Sequence, residues 1–249
     1  MFYCCGITEK GTAHHNEDAM LIGRLVTDSG TSEQELEAPF IAAVADGVSG
    51  EASGEVASKM CLELVSRIKY SKKVCLKNQL MEVHRQLVRS GSEKSETRNM
   101  QATLCGIAVD ENNDILIINS GDSRLYRFRG GKLRQISRDQ SLVQLLYEEG
   151  TITEAERKTH IHRNIIFPVL GNLNSEPEIE VKCLEGGMAF GDLLLLCTDG
   201  LSDYLSSIDI EEILELPKPL PARLRMLVDK ALERSCPDNI TAVAVVYCG

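Results

Sequence analysis

Acidic residues stand at the ends of apolar runs at five places along this chain, each beside a Gly, Asn or Pro. One aspartate at a strand end usually caps a turn, but several apolar strands that all end in acids predict converging carboxylates. Carboxylate, carbonyl and water oxygens suit Mg²⁺ or Mn²⁺ and not Zn²⁺, so we expect a site for hard divalent cations. The five places are Asn16-Glu17-Asp18, Asp46-Gly47, Gly121-Asp122, Thr198-Asp199-Gly200 and Pro237-Asp238-Asn239.

Asp46-Gly47 follows the apolar run from residue 40 to residue 45, which is predicted to be a buried strand. A glycine lets the backbone approach an ion closely, so the Gly47 carbonyl can serve as a ligand beside the Asp46 carboxylate. Taken alone, the pair also fits a plain strand-to-helix turn capped by Asp46 or Ser49.

The composition describes an ordinary globular protein, with 249 residues, 43% of them hydrophobic and 26% charged. A net charge of −10 argues against nucleic acid or an anionic membrane as the main partner. The nine cysteines form no C-x-x-C pair and no Cys/His cluster, and several lie in apolar runs as small core residues. Neither a signal peptide nor an apolar stretch of about 18 residues is visible, so we expect a cytoplasmic protein.

Short β-type runs dominate the chain, and consecutive runs without intervening helices predict antiparallel sheets. Gly130-Gly131 separates two runs by two residues, which predicts a hairpin that places Phe128 opposite Leu133. The predicted strands are Phe2–Ile7, Ala19–Val26, Phe40–Ala45, Thr103–Val109, Ile115–Asn119, Arg124–Arg129, Lys132–Ile136, Leu193–Cys197 and Ile240–Tyr247.

Helical periods interrupt the strands at residues 57–68, at residues 74–90 and at residues 224–232, and these helices should cover the outer faces of a β-sandwich. Thr153 and Glu156 have the spacing of a capping box that opens a short helix. Residues 91–99 are polar and predict a loop. No repeat, linker or change of composition divides the chain, so we expect residues 1–249 to form a single domain.

The motifs resemble those of one family in their residues and in their order along the chain: the metal-dependent serine/threonine protein phosphatases of type 2C, in their compact bacterial form. Seven motifs in family order cover essentially the whole chain, which makes the resemblance specific. The matching motifs begin at Gly11 and Asn16, at Ala45, at Met100, at Asn119, at Ser137, at Cys197 and at Pro237.

The resemblance implies an α+β fold, with a central sandwich of two antiparallel sheets and helices on both outer faces. Residues 150–178 would be the family's variable flap beside the active site. Asp46 would bridge two Mn²⁺ or Mg²⁺ ions, and Asp199 and Asp238 would complete the first site. The Gly47 carbonyl would belong to the second site, and Asp122 with Asp199 would help to hold a weaker third ion.

The implied activity is hydrolysis of phosphoserine and phosphothreonine on proteins by a metal-activated water, with Glu17 and Asp18 orienting metal-bound waters. Two such ions about 3.5–4 Å apart can acidify a bridging water and clamp the phosphoryl oxygens during in-line displacement. We expect phosphorylated protein substrates, including a eukaryotic-like serine/threonine kinase. We also expect a monomer.

One position departs from the family, because most relatives have an arginine that clamps the substrate phosphate where this chain has Ala13. His14 and His15 lie beside it, and either could donate to phosphate or act as a general acid, or both could be solvated loop residues. Arg163 in the flap is a further candidate cation. Glu51 and Gln140 stand where bacterial relatives commonly have histidine, and we interpret both as structural changes.

The main hypothesis is a housekeeping phosphatase that broadly opposes a eukaryotic-like serine/threonine kinase, and three alternatives compete with it. Cys61 and Arg67 match the C-x₅-R spacing of cysteine-dependent phosphatases, but Cys61 lies mid-helix on an apolar stripe and lacks a phosphate-binding loop. The loss of the clamp at Ala13 permits a catalytically impaired protein that only binds phosphoproteins. Dephosphorylation of one regulator, as in the sporulation-type phosphatases, is the third alternative.

Overall fold

The computed structural model describes residues 1–48, 53–93 and 97–249. The strands are β1 (Phe2–Glu9), β2 (Asp18–Ile22), β3 (Leu25–Thr27), β4 (Gly30–Leu36), β5 (Phe40–Asp46), β6 (Leu104–Val109), β7 (Ile115–Ser120), β8 (Arg124–Arg129), β9 (Lys132–Gln135), β10 (Glu180–Cys183), β11 (Leu193–Cys197) and β12 (Ile240–Tyr247). The helices are α1 (Gly54–Ser66), α2 (Leu76–Glu93), α3 (Leu142–Glu148), α4 (Glu154–Thr159), α5 (Asp199–Ser202), α6 (Ser207–Glu215) and α7 (Leu220–Glu233).

The strands form two six-stranded sheets, in which every neighbouring pair is antiparallel. The first sheet has the order β4-β1-β12-β11-β8-β9, and the second has the order β10-β7-β6-β5-β2-β3. The α+β fold of two antiparallel sheets is therefore confirmed. The predicted hairpin is also confirmed, with Phe128 opposite Leu133 across the turn at Gly130 and Gly131.

Three apolar cores separate four layers. The central core joins the inner faces of the two sheets, through residues such as Cys4 and Val243 of one sheet and Val44 and Ile107 of the other. A second core packs α1 and α2 against the outer face of the second sheet. A third packs α6 and α7 against the outer face of the first sheet, so the predicted helical covering of both faces is confirmed.

The predicted boundaries were wrong where the sequence is polar or turns sharply. The run from Ala19 to Val26 is two strands, because Gly23 adopts a left-handed φ of 62° and turns the chain between β2 and β3. Neither β4 nor β10 was predicted, because each is an edge strand paired on one side and needs few apolar residues. The predicted loop at 91–99 begins too early, since α2 continues to Glu93.

The strand register brings the acidic motifs to one end of the sandwich. Asp18 at the start of β2 lies opposite Asp46 at the end of β5. In the other sheet, Cys197 at the end of β11 pairs with Ala242 near the start of β12, so the residues just outside both strands meet at the same edge. Within the described residues, no helix combines the length and apolarity needed to cross a membrane.

Candidate functional site

The backbone of Asp46 is fixed by Thr103, which precedes β6. The Asp46 N–H donates to the Thr103 hydroxyl at 3.0 Å, and the Asp46 carbonyl accepts from the Thr103 N–H at 2.8 Å. The same hydroxyl lies 2.8 Å from that of Ser123, so a buried pair of hydroxyls joins the end of β5 to the turn that carries Asp122. Asp46 is thus held in place by groups that leave its carboxylate for other ligands.

Gly47 lies in a space that no side chain could occupy. A Cβ on Gly47 would lie 2.1 Å from the carbonyl oxygen of Gly54, the first residue of α1. A Cβ on Gly54 would in turn lie 2.8 Å from the carboxyl carbon of Glu17. The Gly47 N–H donates to the Glu17 carbonyl at 3.0 Å, so the Gly47 segment is sandwiched between α1 and the start of β2.

Asp18 is almost completely buried, with 1% of its surface exposed. The Thr198 hydroxyl donates to its Oδ2 at 2.8 Å and accepts from the Thr241 N–H at 3.1 Å. Thr198 is itself followed by Asp199, so one threonine connects the carboxylate of the second sheet to the strand ends of the first. The sequence motif contained Thr198, but nothing in the pattern indicated this contact.

Asn239 organises the loop from Lys10 to Glu17. Its Oδ1 accepts from the Glu17 N–H at 2.7 Å, and its Nδ2 donates to the carbonyls of Lys10 at 2.9 Å and His15 at 3.0 Å. Its own N–H donates to Oδ1 of Asp238 at 2.8 Å. Asn239 therefore fixes Glu17 and Asp238 relative to each other, a role that the sequence analysis did not assign.

The carboxylates lie close enough to oppose one another's ionisation. Burial raises the pKa of Asp46 well above its usual range, and the charges of Asp18 and Asp199 add to the effect. Burial and the charge of Asp122 do the same to the pKa of Asp199. The pKa of Asp18 is raised to about 7 by burial, against the hydrogen bond from Thr198.

Asp122 completes this acidic centre from the β7–β8 turn. Its pKa is raised to about 7 by burial and by the nearby charges of Asp139 and Asp203. A concentration of buried negative charge of this kind is unfavourable in the metal-free protein and favours bound cations.

The donors present fit hard divalent cations. Oδ1 of Asp199 is buried and has no hydrogen-bond partner in the described parts of the chain, which leaves it available as a ligand. The available donors are carboxylate and carbonyl oxygens, the ligands of Mg²⁺ and Mn²⁺. Across residues 1–48, 53–93 and 97–249, no group of three or more histidine, cysteine, aspartate or glutamate side chains is arranged so that it alone could hold a metal ion.

Ala13 lies in the loop beside this centre, where its N–H donates to the Lys10 carbonyl at 3.2 Å. His14 and His15 are exposed, and neither imidazole has a hydrogen bond or ion pair with the described residues. Both histidines belong to the loop that Asn239 holds through the His15 carbonyl.

Arg163 lines a cavity of about 260 Å³ together with Asp122 and Asp199, so the structure brings this flap residue to the acidic centre. Burial raises the pKa of Asp203 in the same cavity, and the charges of Arg124 and Arg163 are among those that oppose the rise. The flap also carries the predicted capping box. The Thr153 N–H donates to Glu156 at 2.7 Å, and the Glu156 N–H donates to the Thr153 hydroxyl at 3.3 Å.

A buried ion-pair network, which sequence reasoning missed, ties the flap to the sandwich. Arg124 of β8 donates from Nη2 to Asp139 at 2.7 Å, and Arg157 of α4 lies 3.5 Å from the same carboxylate. Arg157 also donates to Gln144 at 2.5 Å. Asp139 belongs to a motif matched in the sequence, but its two arginine partners are remote in the chain and no local pattern links them.

The remaining sequence hypotheses concern single residues. Gln140 is buried and accepts from the Gly121 N–H at 2.8 Å, beside Asp122, which favours the structural interpretation of this position. Glu51 lies outside the described residues. Cys61 is buried in the middle of α1, and burial raises its pKa to about 12, which argues against the thiolate chemistry of the cysteine-dependent phosphatases.

Comparison with known proteins agrees with this geometry. Residues 15–231 match the family model described as protein phosphatase 2C. The serine/threonine phosphatase stp of Listeria welshimeri is 31% identical over 248 residues, which cover 96% of this chain and 93% of that one.

Among solved structures, Stp1 from Staphylococcus aureus has a TM-score of 0.83 and 27% identity, and the match covers 100% of this chain and 96% of that one. The catalytic domain of PstP in complex with two manganese ions has a TM-score of 0.79 and 26% identity over the whole of both chains. The chain therefore belongs to the protein phosphatase 2C family and is a protein serine/threonine phosphatase.

Proposed function

We propose that this phosphatase hydrolyses phosphoserine and phosphothreonine esters with water and two bound Mn²⁺ or Mg²⁺ ions. The observation that carries the proposal is the group of buried carboxylates around Asp46, whose mutual repulsion requires compensating positive charge. The two manganese ions of the PstP structure support it.

Asp46, with Asp199 and Asp238, would hold one ion, and Asp46 with the Gly47 carbonyl would hold the other. Asp122 and Asp199 would provide a weaker third site. When bound, the ions would supply Lewis acidity that activates water and neutralises the phosphoryl oxygens. Oδ1 of Asp199 is buried and has no hydrogen-bond partner among the described residues, which supports its assignment as a ligand.

The other residues would position water and move protons. Glu17 and Asp18 would accept hydrogen bonds from the attacking water, and Thr198 fixes the Asp18 carboxylate for that role. Water attacks phosphorus, the bond from phosphorus to the serine or threonine oxygen breaks, and a proton passes to that oxygen. The exposed His14 or His15 would supply this proton as imidazolium, giving the alcohol and inorganic phosphate.

The substrates would be phosphorylated proteins, among them a serine/threonine kinase. The cavity between the acidic centre and the flap is open to a phosphorylated loop, and Arg163 at its side would contact the phosphate or the flanking peptide. A regulator phosphatase of the sporulation type would use the same chemistry on one substrate, so only the range of substrates would separate the two.

The test is hydrolysis of p-nitrophenyl phosphate and of a phosphothreonine peptide, with Mn²⁺ and after chelation. Asp46→Ala, Asp199→Ala and Asp238→Ala should each lower kcat/KM by more than about 100-fold. Loss of a group that only hydrogen-bonds to a metal ligand already costs up to about 100-fold, and loss of the ligand itself should cost more. Asp122→Ala should act more mildly. Asp229→Ala is the matched control, because it removes an exposed carboxylate of α7.

Turnover by Asp46→Ala equal to that of the parent at matched Mn²⁺ would refute the two-ion assignment. A parent that binds the phosphopeptide with Mn²⁺ but does not hydrolyse either compound would instead establish the catalytically impaired binding protein.

A further inference from the structure

A groove of about 950 Å³ lies at the end of the sandwich opposite the acidic centre. Three elements lead to it from that centre: β2 ends at the Gly23 turn, β5 begins there with Phe40, and α1 ends there at Ser66. The end of β4 closes the fourth side. The groove therefore shares no residue with the catalytic machinery.

The groove has an excess of positive charge in a protein whose net charge is −10. Arg24, Arg67 and Lys69 line it, all exposed, and none forms an ion pair or side-chain hydrogen bond with another residue in the described parts of the chain. Among the residues that line the groove, Glu37 carries the negative charge against these three cations. Arg67 and Lys69 lie at the carboxyl end of α1, where the helix dipole favours positive charge. Arg24 lies on the β2–β3 turn, so the helix dipole does not explain its charge.

The floor of the groove is apolar. Phe40 and Tyr70 are both 7% exposed and present their remaining surface there, with Ile68 and Leu36 beside them. Leu25, next to Arg24 on the edge strand β3, is 41% exposed. Cations around an apolar floor are complementary to an extended segment with acidic side chains and one apolar anchor.

We propose that this groove binds an acidic segment of a protein substrate that carries an apolar anchor residue, at a distance from the phosphorylated residue. This role in substrate docking rests on the proposed function, whereas the binding itself does not. Along β5, Phe40 and Asp46 are six residues apart, or about 20 Å at about 3.3 Å per residue. A substrate would therefore need at least about six to seven extended residues between the docking segment and the phosphate.

Binding can be measured by fluorescence anisotropy on the full chain, with a labelled twelve-residue peptide of glutamates around a central Leu-Phe pair. Peptides with lysine for glutamate, or alanine for the Leu-Phe pair, are the ligand controls. Arg24→Glu/Arg67→Glu should weaken binding about tenfold, and added salt should reduce this difference because exposed charges are screened. Lys218→Glu, an exposed charge change between α6 and α7 on the other outer face, should leave binding unchanged.

Arg24→Gln/Arg67→Gln tests the same contacts should the charge reversal prevent folding. Equal affinity of the parent and a folded groove variant would overturn the proposal, as would failure of the acidic peptide to bind the parent. Binding of the lysine peptide or of an oligonucleotide with equal affinity would also overturn it.

The catalytic consequence is tested with a phosphothreonine peptide joined to the acidic segment by spacers of two or ten residues. With the long spacer, the segment should lower KM in the parent and not in the groove variants, while hydrolysis of p-nitrophenyl phosphate stays the same in all of them. Absence of p-nitrophenyl phosphate hydrolysis would refute the proposed function and leave the binding result standing. Retained hydrolysis with no effect of the segment at either spacing would refute docking alone.

Discussion

The metal-free protein should lose stability as the pH rises from 5 to 8, and Asp18 gives the magnitude. Its folded pKa is about 7, against 3.8 for the ordinary carboxyl, so the folded chain binds this proton more tightly than the unfolded chain. The resulting stabilisation is complete below pH 3.8 and is lost as the pH rises through 7. Between pH 5 and pH 7 the folded carboxyl keeps its proton while the unfolded one is ionised, so the stabilisation falls by about 3 kcal/mol over this range.

Urea unfolding in a chelating buffer at pH 5 and pH 8 measures the total loss, to which Asp46, Asp122 and Asp199 add because their pKa values are raised as well. His84 acts in the opposite direction, because burial lowers its pKa and the neutral form is favoured as the pH rises. The informative comparison is therefore with Asp18→Asn, which keeps an oxygen for the Thr198 hydroxyl but removes the titration. The variant should lose less stability than the parent between the two pH values. Mn²⁺ should stabilise the parent most at pH 8, where the carboxylates are ionised. An identical pH dependence of parent and variant would refute the reasoning.

Further substitutions test Cys61, Ala13 and the two neighbouring histidines. Cys61→Ser should keep most of the specific activity and lower the melting temperature, because a hydroxyl would be buried in the apolar core beneath α1; loss of turnover with unchanged folding and metal binding would contradict this. Ala13→Arg should lower KM for p-nitrophenyl phosphate by about 10- to 100-fold, the effect of one charge-assisted hydrogen bond, with kcat changed less. His14→Ala and His15→Ala should be measured in parallel, since one imidazole can already fill this role. An unchanged KM in folded Ala13→Arg would mean that residue 13 does not face the phosphate.

The sequence predicted the fold well where side-chain burial alternates or is continuous. The inner strands, the hairpin at Gly130-Gly131 and the capping box at Thr153 all follow from local patterns. The edge strand β4 did not, because its residues are mostly polar and it is held by main-chain pairing with β1. Exposure alternates along β4, but the residues on both of its faces are mostly polar, so no apolar alternation marks this strand in the sequence.

In the candidate site, too, local patterns were predictable from the sequence and long-range contacts were not. The acidic residues could be found because each stands beside a strand end, and their convergence at one end of the sandwich followed from the antiparallel sheets. The supporting contacts could not be found, since Thr198 reaches Asp18 and Arg157 reaches Asp139 across distances in the chain that no local spacing encodes. Long-range partners of this kind depend on the packing of layers and not on local propensity.

The hydrogen bond between Glu17 and Asn239 spans 222 positions of the sequence. Closing so long a loop is entropically costly. The contact requires Asn239, which directly precedes β12, the strand that pairs with β1 and β11. A chain still emerging from the ribosome therefore lacks Asp238 and the anchor of Glu17, however well its early helices have formed. Under the proposed ligand set, catalytic competence would therefore wait until Asp238 has been synthesised and β12 has paired with its neighbours.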